Sequence, residues 1–131
     1  MSERQLLEGV PNIREGFVQF QEVCDQPIII MDREIRQTRP DDRGQRRPFV
    51  VWLVDLGNEL VYTIPQGNTD AVYRSLMARH GQSVKAVLTP IPNAQGYMTY
   101  KWYGWTEEDE SHFIGLKDQS YVKENGQEVP F

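Results

Sequence analysis

The chain of 131 residues is 39% hydrophobic and 25% charged, which suits one globular domain and is too apolar for a disordered chain. Its single cysteine, Cys24, excludes an intramolecular disulfide, and no stretch approaches the roughly 18 apolar residues of a membrane span. The net charge of −5 is unevenly spread: −3 over residues 1–27, +3 over 28–105 and −5 over 106–131, so a basic middle lies between acidic ends.

Residues 1–16 are polar and read as a short arm or helix, with no apolar signal core behind Met1-Ser2-Glu3-Arg4; the expected location is the cytoplasm. Phe17-Val18-Gln19-Phe20 alternates as a short strand would. Pro27 precedes the β-branched run Ile28-Ile29-Ile30-Met31, which predicts a first main strand continuing to Thr38. Residues 39–48 are rich in proline, glycine and aspartate and predict a loop. Phe49 to Asp55 and Leu60 to Ile64 then form a hairpin across Leu56-Gly57-Asn58-Glu59. One helix follows, capped by Asn68 or Thr69, carrying Val72, Tyr73, Leu76 and Met77 on one face and stopped at Gly81. Val84 to Leu88 is the fourth strand, Pro90 to Gly96 a loop and Tyr97 to Trp105 the fifth strand. Beyond it the chain is acidic with little periodicity.

This order predicts an all-β fold with one helix: a five-stranded Greek-key barrel of the OB type, its helix between strands three and four. An α+β sandwich shares the same order of elements. Residues 1–27 form the arm, 28–105 the barrel and 106–131 an acidic C-terminal tail.

Five aromatic rings in the nine residues 97–105 are too many for one face of a small core. Tyr100 and Trp102 share one face, Tyr103 and Trp105 the other, so one pair is core and the other exposed. Exposed rings beside Lys101 would make a platform for unpaired bases, each stacked base contributing about 1–3 kcal/mol. Arg39, Arg43, Arg46 and Arg47 crowd the loop before Phe49, with Arg33 and Arg36 just upstream, and guanidinium groups pair with phosphate and stack on bases. Trp52 and Tyr62 sit on the hairpin, Trp52 reading equally as core. The expected DNA-binding set is therefore Arg33, Arg36, Arg43, Arg46, Arg47, Trp52, Tyr62, Tyr100, Lys101, Trp102 and Tyr103.

The chain ends Glu128-Val129-Pro130-Phe131. This ending resembles the acidic tip of bacterial single-stranded-DNA-binding proteins, and Ile28 to Ile35, Val54-Asp55-Leu56-Gly57 and the helix after strand three look like the small members from phages and plasmids. The resemblance implies protection of single-stranded DNA in replication, recombination and repair. It also implies recruitment of partner proteins through Glu128, Val129, Pro130 and Phe131, and a possible homo-oligomer. The tip carries one acidic residue where the bacterial members have several, and their long Gly/Pro/Gln linker is lacking. A flexible acidic tail would visit the basic surface when DNA is absent; the alternative is a tail packed on the barrel with Phe113, Ile114 and Leu116 buried.

Asp32, Glu34 and Asp55 are the only candidates for metal-dependent chemistry, and no histidine lies near them in sequence. The reading is thus non-catalytic, without cofactor or metal. The alternative function is an OB-fold adaptor whose aromatics and arginines serve a protein interface.

Overall fold

A computed structural model gives the fold for residues 13–81 and 83–125, with side-chain surroundings to Asp118. Six strands form one mixed sheet: β1 (Ile13–Val18), β2 (Ile28–Gln37), β3 (Pro48–Asp55), β4 (Leu60–Thr63), β5 (Val84–Pro92) and β6 (Met98–Tyr103), in the spatial order β1-β4-β3-β2-β5-β6. A 3-10 turn spans Phe20–Val23, helix α1 (Thr69–His80) lies between β4 and β5, and helix α2 (Glu107–Asn125) follows β6. The expected closed barrel of five strands with one helix is therefore corrected to an open sheet of six strands with two helices.

The open seam has a physical cause. A barrel would close by pairing the last strand with β4. That edge of β4 is instead taken by β1, in parallel, through Ile13↔Leu60, Phe17↔Tyr62 and Val18↔Thr63. Thr63 Oγ1 also donates to the Val18 carbonyl at 3.0 Å. The sheet still curls until its ends touch through side chains. Tyr100 on β6 donates its hydroxyl proton to Gln66 Oε1 at 2.9 Å, just past β4, and its ring lies against Gly67.

β2 carries a bulge at Met31, where the register with β3 slips by one between Ile30↔Val54 and Asp32↔Leu53. Side chains alternate along a strand, so one extra residue exchanges the faces of everything after it. Ile28 and Ile30, both fully buried, face inward. After the bulge Arg33 faces inward opposite Trp52, while Asp32, Glu34 and Arg36 face outward. β3 lies inside the sheet and is apolar on both faces: Val50, Trp52 and Val54 inward, Phe49, Val51 and Leu53 outward.

The core is centred on Trp52, fully buried among the rings of Tyr73 (5.4 Å), Phe20 (5.8 Å) and Trp102 (6.1 Å). Asp70 ties α1 to the sheet. It accepts from Trp52 Nε1 at 3.0 Å and from Arg33 Nε and Nη2 at 2.8 and 2.9 Å. Burial pushes the Asp70 carboxyl up, but the bonds from Arg33 and Trp52 outweigh it and hold it below the usual carboxylate value.

α1 ends as expected, at Gly81 with φ +63° and its N–H on the Met77 carbonyl. Its start differs: Asn68 makes no side-chain cap, and the buried Thr69 instead donates its hydroxyl to the Gln66 carbonyl at 2.6 Å. β5 runs four residues past its expected end and includes Pro90 and Pro92. It meets β2 only through Val84, Lys85 and Ala86 and thereafter has β6 alone as neighbour, so a proline breaks no ladder on the far side.

The stretch after Trp105 is a helix, not a featureless tail. Thr106 Oγ1 accepts the Asp109 N–H at 3.2 Å and Asp109 Oδ2 accepts the Thr106 N–H at 2.9 Å, a reciprocal cap followed by a first turn rich in carboxylates. Phe113 is 3% exposed against Trp105, whose ring centroid is 4.8 Å away, and Leu116 lies over Gly57. Ile114, by contrast, is exposed. Lys117 pairs with the buried Asp55 at 3.0 Å.

A candidate nucleic-acid interface on the outer sheet face

The outer face of β1, β4, β3 and β2 carries a cluster of rings around one guanidinium. β-Pairing sets Phe17 beside Tyr62 and Arg36 beside Phe49. The Phe17 ring meets Phe49 at 6.3 Å and Tyr62 at 6.5 Å, both edge-on. The Arg36 guanidinium carbon lies 4.8 Å from the Tyr62 centroid and 5.4 Å from that of Phe17. Phe17 is 48% exposed; Phe49, Tyr62 and Arg36 are half-buried. Arg36 also pairs with the exposed Glu34, a contact of a kind worth at most about 1 kcal/mol and easily exchanged for a phosphate.

The arginine loop continues this surface, because Phe49 is only two residues from Arg47. The loop is an ordered extension of the β2–β3 hairpin. Thr38 and Arg47 bridge its base, the Thr38 N–H reaching the Arg47 carbonyl and the Arg47 N–H reaching Thr38 Oγ1, both at 2.9 Å. Asp41 Oδ1 accepts the N–H groups of Arg43 and Gln45, which leaves that carboxylate tied to the turn. Arg39, Arg43, Arg46 and Arg47 are all exposed and, among the described residues, form no ion pair. On the other flank Asp32, Arg33 and Glu34 border a small cleft with Tyr62, of mixed charge. An anionic strand is thus drawn toward the loop.

The structure divides the sequence-predicted residues. Arg36, Tyr62, Arg43, Arg46 and Arg47 belong to this surface. Arg33 faces inward, locked on Asp70, and Trp52 has no exposed area to offer a base. Tyr100 and Trp102 turn inward, Tyr100 against Phe20 at 5.2 Å, and the buried Trp102 N–H has no partner among the described residues. Trp105 is covered by α2, donates to the Ala86 carbonyl at 3.1 Å and has the Lys85 ammonium 5.1 Å from its centroid. The fifth-strand platform therefore reduces to Lys101 and the half-exposed Tyr103, on the outer face of β6 and apart from the ring cluster. Phe17 and Phe49 were missed. Phe49 was legible, since an odd spacing of three from Trp52 puts it on the opposite face. Phe17 was not, because its position depends on where β1 docks.

Asp32, Glu34 and Asp55 do not converge: Asp55 is held by Lys117 and the Gly57 N–H, and Glu34 by Arg36. Glu128, Val129, Pro130 and Phe131 lie outside the described residues. No helix among the described residues is long and apolar enough to cross a membrane.

No family model matches the chain, and neither a curated protein nor a solved structure matches it.

Proposed function

We propose that this protein binds single-stranded DNA with low sequence specificity and without catalysis. The observation that carries the reading is the partly exposed cluster of Phe17, Phe49, Tyr62 and Arg36, continuous with four loop arginines that form no ion pair among the described residues. Flat rings stack on any base, and guanidinium groups meet the phosphates between them. The order of β2 to β6 with α1 between β4 and β5 also supports an OB-like ancestry for the sheet, its seam left open and β1 laid along β4. In this reading Glu128 to Phe131 recruit replication and repair proteins, and copies of the chain associate along the outer strands β1 and β6 in the cytoplasm.

The test is fluorescence anisotropy with labelled oligo-dT and with a duplex of equal length, over a range of salt. Preference for the single strand is expected, with a log–log salt slope of about −0.7 per phosphate contacted. Equal affinity for both refutes the reading; no binding at low salt refutes it and favours the adaptor.

A further inference from the structure

Behind Phe17 the surface sinks into a cavity of about 430 Å³. Phe17 and Ile64, both nearly half exposed, supply its apolar walls, and Gln19, Gln21 and Gln66 its polar rim. Among the described residues, no acidic or basic one lines it. A site with flat apolar walls, uncharged amides and room for a small ring does not suit a phosphate. It suits a neutral heterocycle whose edge both donates and accepts hydrogen bonds.

We infer that this cavity takes a single unpaired nucleobase of a strand lying on the adjacent ring cluster, held by hydrogen bonds from its side-chain amides. This deepens the proposed DNA-binding function and rests on it. Phe17 is the shared wall: it faces the Arg36 cluster and also lines the cavity. A base leaving the cluster therefore meets the cavity next. Gln66 supplies the first hydrogen bond to the base. Its Oε1 already accepts the Tyr100 hydroxyl at 2.9 Å, so the amide is oriented and its NH₂ remains to donate. Every base offers an acceptor to such a donor, a carbonyl oxygen on thymine, guanine and cytosine and a ring nitrogen on adenine. The side-chain amides of Gln19 and Gln21 make no hydrogen bond among the described residues and complete the edge.

The experiment uses the full-length protein, 15N-labelled, titrated with dT12 and with an abasic strand of equal length, with Gln66→Ala and Tyr100→Phe alongside. The Gln66 side-chain NH₂ signals should shift with dT12 and stay in place with the abasic strand. Gln66→Ala should weaken dT12 binding roughly three- to tenfold, the range of one neutral hydrogen bond, while leaving abasic binding and the salt slope unchanged, since no phosphate contact is lost. Tyr100→Phe should weaken dT12 binding by less, because the amide keeps its donor and loses only its anchor. Gln66 is exposed, so its replacement leaves the fold intact, as an unchanged thermal melt will verify. Tight binding of dT12 with unmoved Gln66 signals and no loss in Gln66→Ala overturns the cavity and leaves the ring cluster standing. Failure of dT12 to bind overturns the cavity together with the DNA-binding function.

Discussion

Phe17 and Trp52 show how little a residue's type says about its work. Both are large aromatics on strands; one is half exposed beside Arg36, the other sealed in the core. Phe17→Ala should weaken oligo-dT binding by about 1–3 kcal/mol and leave the thermal melt nearly unchanged. Trp52→Ala should do the reverse, costing about 3–5 kcal/mol of stability; anisotropy and a melt on each variant check both. Asp70 belongs to the same scale. Its carboxyl is held down, so its contribution to stability is complete above the unfolded value near pH 4 and is lost as pH falls through the lower folded value. Asp70→Asn removes the charge that Arg33 and Trp52 bind, and should cost about 1–3 kcal/mol at neutral pH and flatten the acid limb of the stability curve. Chemical denaturation at several pH values measures this.

At the scale of elements, much was legible in the sequence. β2, β3, β4 and α1 follow from β-branched runs, turn residues and a glycine stop, because these are local signals. The closing edge was not legible. Whether β1 or β6 lies beside β4 is decided by long-range pairing that no local pattern encodes, and the ring cluster depends on that choice. α2 is a different case. The spacing of Thr106 and Asp109 and the carboxylates behind them announce a helix start, but Phe113 and Leu116 give too sparse an apolar stripe to predict docking. Its docking explains Gly57, where φ is +97° and an added Cβ would meet Leu116 Cβ at 3.0 Å and the Phe113 carbonyl at 3.2 Å. Gly57→Ala should therefore lift α2 from the sheet, lower the melting temperature by several degrees and shift the emission of Trp105. Removing residues 107–131 should likewise destabilise the domain, since Trp105 loses its cover. A melt unchanged by that truncation would count against α2 as part of the fold.

For the whole molecule, the core encloses one thiol, Cys24. Burial pushes Cys24 up to about 11, and it lies 3.4 Å from the Phe20 carbonyl, so at neutral pH it is a shielded thiol and a poor nucleophile. Its reaction with a disulfide reagent should follow opening of the domain, rising steeply only near the unfolding midpoint. The charge asymmetry read from the sequence also gains a shape. The arginine loop stands beyond the start of β3, while Lys117 on α2 grips Asp55 at the end of β3. Eight residues of strand, roughly 25 Å, separate the two, beyond the Debye length of about 8 Å at physiological salt. The α2 carboxylates from Glu110, paired with Lys85, to Asp118, next to Lys117, are thus kept from the arginines by the fold.

The extra residue at Met31 also sets what the gene can tolerate. Met31 is 43% exposed, and Met31→Thr should be nearly silent in a melt. Deleting the same residue should be tolerated as well: Ile30↔Val54 would run straight on to Asp32↔Leu53 and Arg33↔Trp52, so Asp32, Glu34 and Arg36 stay outward and Arg33 stays on Asp70. β3 has no extra residue to give up, and losing Leu53 would turn Trp52 out of the core. A scan of single-residue deletions across residues 28–37 and 48–55, scored by soluble expression, should therefore recover folded protein at Met31 and none in the middle of β3.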